Sequence, residues 1–317
     1  MSLFDLDTVL GFLGDAHSRG VASALVTVCS VEGSSMRNPG TLMAVAEDGS
    51  FAGSLSGGCI ENAVVTEALE VIQSGAPRIV RFGAGSPYLD IKLPCGGGLD
   101  LHFSLVADPA FVEACLASVK EREPFSITLG PGVLKHQSGW QDGRFDLANG
   151  AATFGYWPSP MLQIIGHGAG VEALARLARV MGCGVKVLTP DDRIIAELSD
   201  QQVKAQRLSR TDETGLIDSD PWTATIFLFH DHDWEIALME AALEQPHFYI
   251  GAMGGRKAHA FRSEALLARG VSEKAIASIH APIGLFHSSR DPQTLALSTL
   301  GEVIRAYEAA EFGDALG

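Results

Sequence analysis

Two cysteines stand in settings that could make them chemically active. Cys59 follows Gly57 and Gly58 and precedes Ile60-Glu61, and Cys95 opens the run Gly96-Gly97-Gly98. An ionised thiol is a nucleophile and a soft metal ligand, and a helix N-terminus favours ionisation because its unpaired amides carry partial positive charge. Cys59 is expected at such an end. From Ile60 the residues Ala63, Val64, Ala68, Val71 and Ile72 share one helical face, and Gly75 is a natural stop. The two glycines before Cys59 would let the backbone come close to a ligand. Taken singly, a cysteine is more often a small buried core residue. Two Cys–Gly clusters in one half of a chain weigh toward a site.

Other groups could hold an anion or a nucleotide. Ser34, Ser35 and Arg37 lie in the loop 33–40, with two hydroxyls and a guanidinium suited to a phosphate or a heterocycle, or to an ordinary surface turn. Gly83-Ala84-Gly85 and Gly96-Gly97-Gly98 bracket a loop whose amides could form an anion-binding nest. In the second half, Gly166, Gly168 and Gly170 follow an apolar strand and open a helix, the context a dinucleotide fingerprint requires. Position 171 is Val, so the motif is the shorter GxGxG. Asp191 and Asp192 come just past the next strand, near the place of a ribose-binding carboxylate. His230-Asp231-His232-Asp233 reads as a polar loop capping the next helix rather than as a metal site. Gly251 to Lys257 leads glycines into a basic helix start, a phosphate cradle with Arg256 at its head.

These residues need elements to position them. The first half reads as helix 5–18, a buried strand 22–31, a hairpin 41–46 and 51–55, the helix after Cys59, and strands 78–82 and 99–106. A helix 108–122 and short strands to 147 follow. Leu99, Leu101, Phe103 and Leu105 alternate, which predicts a sheet with one covered face. The second half alternates strand and helix from 161 to a last helix, 293–309. The fold class is α/β: an N-terminal mixed α/β domain over 1–150, a linker over 151–160, and a Rossmann-like doubly wound parallel sheet over 161–317.

Bulk properties narrow the function. The 317 residues carry a net charge of −15, which argues against a nucleic-acid or anionic-membrane partner. No apolar run is long enough for a membrane span, and residues 1–7 are not expected to be a secretory leader. Five widely spaced cysteines without a CxxC suggest a reducing cytoplasm and no disulfide or zinc framework.

Several phrases together resemble one family. Gly-Ser-Ser-Met-Arg-Asn-Pro-Gly at 33–40, Gly-Ser-Leu-Ser-Gly-Gly-Cys-Ile-Glu at 53–61, Cys-Gly-Gly-Gly at 95–98, Gly-Ala-Met-Gly-Gly-Arg at 251–256 and His-Ala-Pro-Ile-Gly-Leu at 280–285 look like the XdhC/CoxI family. That resemblance implies a cytoplasmic, dimeric accessory chaperone rather than an enzyme. It would bind the molybdenum cofactor (molybdopterin), support its sulfuration by a cysteine desulfurase, and deliver it to xanthine dehydrogenase or a related molybdenum hydroxylase. It further implies Cys59 and Cys95 as metal-facing residues, with Gly57, Gly58, Glu61, Gly96, Gly97, Ser34, Ser35 and Arg37 around the cofactor. The alternative is an NAD(P)-binding oxidoreductase using Gly166, Gly168, Gly170 and the acids Asp191 and Asp192.

Overall fold

The computed structural model describes residues 6–33, 37–58, 60–86, 96–199, 203–286 and 291–312. The chain divides into two compact units, Met1–Pro158 and Ser159–Gly317.

The first unit runs α1 (Leu6–Ser18), β1 (Ser23–Glu32), β2 (Leu42–Ala46), β3 (Phe51–Ala52), α2 (Glu61–Ser74), β4 (Arg78–Gly83), β5 (Gly98–Leu105), α3 (Pro109–Glu121), β6 (Phe125–Gly130), β7 (Val133–Ser138), β8 (Arg144–Asp146) and β9 (Ala151–Tyr156). A five-stranded sheet has the order β3-β2-β1-β5-β4, and a four-stranded sheet the order β7-β6-β9-β8. Every pairing in both sheets is antiparallel.

Both faces of the larger sheet are covered. Ala24, Val26 and Val28 of β1 face Val64, Ala68 and Val71 of α2, together with Leu99, Leu101 and Phe103. Leu25 and Cys29 face the other way, into a core with α1, α3 and the second sheet. The expectation of one covered face is thus corrected. Asp100, His102 and Ser104, the alternate residues of β5, are buried as well; Ser104 pairs with Leu25, whose side chain enters the core with α1 and α3, and Asp100 is enclosed by Arg81 and Ser30. The linker expectation also changes. Residues 151–156 form β9, paired with β6 and β8, and Ala152, Phe154 and Tyr156 point into the core. The alternation of small and aromatic residues there is that of a strand buried on one side.

The second unit runs β10 (Met161–Gly166), α4 (Ala169–Val180), β11 (Gly184–Thr189), α5 (Asp192–Ser199), β12 (Lys204–Arg207), β13 (Thr223–Leu228), α6 (Ile236–Leu243), β14 (Tyr249–Ala252), α7 (Arg256–Ala268), α8 (Glu273–Ala277), β15 (Ile279–His280) and α9 (Pro292–Ala309). The six strands lie in the order β12-β11-β10-β13-β14-β15, all parallel. This is the doubly wound arrangement expected from the sequence. α6, α7 and α8 pack on one face, while α4 and α9 pack together on the other. Pro292 at the first turn and Asp291, whose carboxylate accepts from the Thr294 amide, start α9 where the sequence predicts it.

Candidate functional site

The strand register of the first unit brings its glycine phrases to one end of the five-stranded sheet. Glu32, at the end of β1, lies opposite Gly98, at the start of β5. Gly83, at the end of β4, also lies opposite Gly98. β3 runs parallel in space to β1, so the chain leaving it through Gly53 heads toward the same end. Gly33 packs closely on Gly97: a Cβ built on Gly33 would lie 3.3 Å from the Gly97 Cα. The loops that carry residues 33–40, 53–60, 83–86 and 96–98 therefore leave one sheet end together. Ser34, Ser35, Cys59 and Cys95 lie outside the described residues. Their described neighbours Gly33, Gly58 and Gly96 all belong to these loops.

Glu61, the first residue of α2, organises the loop before it. Its Oε1 accepts hydrogen bonds from the Ser54 hydroxyl (3.0 Å), the Leu55 amide (3.1 Å) and the Ser56 amide (2.9 Å). Its Oε2 accepts from the Ser56 hydroxyl (2.7 Å), the Gly58 amide (2.9 Å) and the Ile60 amide (3.2 Å). Burial works against the charged form, but the bonds from Ser56, Ser54 and the main chain together outweigh it and hold the carboxyl at about 2. The sequence reading puts Glu61 on the ligand. The structure turns its carboxylate inward onto its own loop. Gly57 (φ 76°) and Gly58 (φ 111°) take left-handed conformations that side-chain-bearing residues rarely adopt, and no described residue lies within 4 Å of the Cβ either would carry. Among the described residues, the exposed side of the loop is the bare backbone of Gly57 and Gly58.

A second device, which sequence reasoning missed, sits on the opposite face of the same sheet end. Arg81 of β4 donates from Nε to the Ala84 carbonyl (2.7 Å) and from Nη1 to Asp100 (3.1 and 3.2 Å). Its Nη2 pairs with Glu32, and the Ser30 hydroxyl donates to Asp100. One guanidinium thus ties the ends of β1, β4 and β5. A Cβ on Gly98 would lie 2.7 Å from Arg81 Nη2, so residue 98 must be glycine for the fork to seat. The Ala84 amide donates to the Gly97 carbonyl (2.9 Å), which fastens the two glycine turns to each other.

The other three cysteines are core residues. Cys29, Cys115 and Cys183 are buried, and burial pushes each thiol up to about 12. His102 is buried too and held neutral, its pKa down to about 4, with Nδ1 3.0 Å from the Ser104 hydroxyl. Among the described residues no three His, Cys, Asp or Glu side chains gather into a metal cage.

In the second unit the order of strands reverses between β10 and β13, and the glycine turn sits there. A Cβ on Gly166 would lie 2.4 Å from the Leu228 carbonyl oxygen, so this glycine permits close strand packing. Gly168 (φ 83°) makes the turn into α4 and borders open space. Gly170 faces Leu295 of α9, 3.5 Å from its would-be Cβ. Asp191 accepts from the Arg193 amide (3.0 Å) and so heads α5, while Asp192 pairs with Arg207 (2.6 Å). His167 and His230 meet across the switch point with ring centroids 5.8 Å apart. The 230–233 loop does not cap α6 through a side chain: Asp231 accepts from the Asp233 amide instead, heading the single turn His232–Trp234. Arg256 is the exposed first residue of α7. Behind it Arg262 and Glu235 form a fully buried ion pair (2.7 Å), and Arg262 also donates to the Met253 carbonyl (3.0 Å), fixing the 253–255 turn.

Residues 16–83 match the XdhC and CoxI family, and residues 162–303 match the XdhC Rossmann domain. A relative from Escherichia coli K12, described as the molybdenum cofactor insertion chaperone PaoD, is 35% identical over 306 residues, 94% of this chain and 88% of its own. The chain belongs to the XdhC and CoxI family. A second relative from the same organism, the uncharacterised protein YqeB, is 22% identical over 302 residues, covering 92% of this chain but only 44% of its own length. The crystal structure of a Bacillus halodurans protein described as a xanthine dehydrogenase shares the fold, with a TM-score of 0.76 at 20% identity over 96% of this chain and 98% of that one. No helix among the described residues is long and apolar enough to cross a membrane.

Proposed function

We propose that this chain is a carrier for the molybdenum cofactor. It takes the cofactor up at the sheet end of the first unit, supports sulfuration of the metal, and hands it to xanthine dehydrogenase or a related molybdenum hydroxylase. The observation that carries this reading is the 35% identity, along nearly the whole chain, to a protein described as a molybdenum cofactor insertion chaperone. The geometry is compatible with it. Molybdenum with oxo and sulfido groups is thiophilic, and Cys59 and Cys95 are its proposed soft ligands. The bare backbone at Gly57, Gly58 and Gly96 leaves room for a flat pterin to lie close. Ser34, Ser35, Arg37 and Gly97 would hold its polar edges. A carrier must also release its cargo, which favours few contacts at an open face over a closed cage.

The remaining partners follow from the same reading: a cysteine desulfurase, a second copy of the chain, and a cytoplasmic setting. In the second unit, Gly166, Gly168, Gly170, Asp191 and Arg256 would receive the nucleotide of a dinucleotide form of the cofactor. The parallel strand order with a glycine turn at its switch point also favours a second reading, NAD(P) binding there. Two measurements test these readings. Molybdenum and pterin retained by the purified protein should fall sharply in Cys59→Ala; equal retention removes Cys59 from the site. Calorimetry with NAD(P) should show saturable binding that Gly168→Val abolishes, and no heat in the unaltered protein sinks the nucleotide reading.

A further inference from the structure

We infer that Glu61 is the resident anion of the 54–60 loop, and that it makes this loop refuse phosphate and accept only the soft or uncharged end of a ligand. The consequence for cargo rests on the carrier reading; the occupancy of the loop does not. Four main-chain amides, those of Leu55, Ser56, Gly58 and Ile60, point at the two carboxylate oxygens at 2.9–3.2 Å, joined by the hydroxyls of Ser54 and Ser56 at 3.0 and 2.7 Å. Amides converging through glycines at positive φ are the arrangement that grips phosphate in anion nests. Here the nest is already full. A carboxylate has about four lone-pair sites, and six donors share them. The carboxylate is drawn from inside the chain, and its residue is only 6% exposed.

A phosphate approaching Gly57-Gly58 would find no free donor among these four amides and a fixed negative charge behind them. The described part of the loop therefore presents shape and the bare backbone of Gly57 and Gly58, and the anionic tail of the cargo is held by other groups. A plain structural staple would hold the loop equally well with any side chain that fits. The filled-nest reading instead requires an anion, and it forecasts that emptying the nest creates an anion site.

Hydrogen exchange of the 54–61 segment in the full chain tests this, with formate, inorganic phosphate or chloride added at matched ionic strength. In the unaltered protein the segment should be protected, and phosphate at tens of millimolar should leave it unchanged. In Glu61→Gly its exchange should quicken about tenfold or more, and formate or phosphate, but not chloride, should restore protection saturably. Glu61→Gln should not be restored, because its amide fills the space with donors facing donors. The inference is overturned if phosphate slows exchange of 54–61 in the unaltered protein, or if Glu61→Gly is as protected as the unaltered protein without added anion. It is equally overturned if neither anion acts on Glu61→Gly. Should Glu61→Gly fail to fold, the phosphate arm on the unaltered protein still decides. None of these readouts involves the cofactor, so failure here is separable from failure of the carrier reading.

Discussion

Replacing Arg81 by Met should destabilise the first unit by about 3 kcal/mol. The change strips Asp100, whose side chain is 8% exposed, of both its charge-assisted bonds and leaves it the Ser30 hydroxyl. It also frees the Ala84 carbonyl. Removing one partner of a buried ion pair costs about 3–5 kcal/mol because the other charge stays behind. Arg81 is itself 28% exposed, so water softens the loss and the lower end of that range applies. For a unit of this size the change corresponds to a drop in melting temperature of about 6–12 °C. Calorimetry of the intact chain, with hydrogen exchange of 96–105 to assign the transition, measures it. The control is the double variant Arg81→Met/Asp100→Leu, which leaves no stranded charge and should recover to within about 1 kcal/mol of the starting protein. If single and double variants fall equally, packing rather than charge holds this sheet end, and the clamp argument is wrong. An unchanged single variant refutes it as well.

Three further outcomes are expected. The Glu61 carboxyl has a pKa of about 2 in the fold against an ordinary 4.5, so its contribution is complete above the higher value and lost as pH falls through the lower. The stability gap between the unaltered protein and Glu61→Gln, read by urea unfolding, should be about 3 kcal/mol near pH 6 and close to zero near pH 2. Thiol titration of the native protein at pH 8 should leave Cys29, Cys115 and Cys183 silent. With a pKa of about 12 each, roughly one thiol in ten thousand is ionised there, and fast labelling of any of the three counts against the described core. Gly166→Ala places a methyl 2.4 Å from the Leu228 carbonyl oxygen. It should cost about 2 kcal/mol or more through forced separation of β10 and β13, whereas Gly170→Ala, with 3.5 Å to Leu295, should be mild; equal effects would contradict the described packing.

Much of the second unit was legible because parallel strands buried on both faces read as unbroken apolar runs. Met161–Ile165 and Thr225–Phe229 come close to this, each with one polar residue, Gln163 and Thr225, and the glycine turn after the first marks its passage into a helix. What escaped the sequence reading is what lacks that signature. β12 is Lys-Ala-Gln-Arg, an edge strand with no apolar face, and α5 buries only Ile194 and Leu198. In the first unit the strands other than β9 were visible, but apart from the β2–β3 hairpin their pairing was not. β1 and β5 are separated by 65 residues, from Gly33 to Gly97, and nothing local says that Glu32 lies opposite Gly98. The convergence of the glycine loops is a property of that register. Arg81 and Asp100 looked like ordinary strand residues for the same reason: their meeting depends on β4 and β5 being neighbours. Glu61 was singled out with the Cys59 phrase, yet only coordinates reveal that it faces inward.

The place where β9 ends has a practical bearing on dissecting the protein. Tyr156 is almost fully enclosed, its ring stacks on Phe125, and its hydroxyl donates to the Gly40 carbonyl (3.0 Å) at the far side of the loop that holds Arg37. A fragment trimmed at residue 150 would lose an inner strand of the smaller sheet and this tether together, exposing Phe125 and Phe154's former neighbours to solvent. Anyone expressing the amino-terminal half alone should carry it through Pro158, or risk mistaking a torn core for a module that cannot bind.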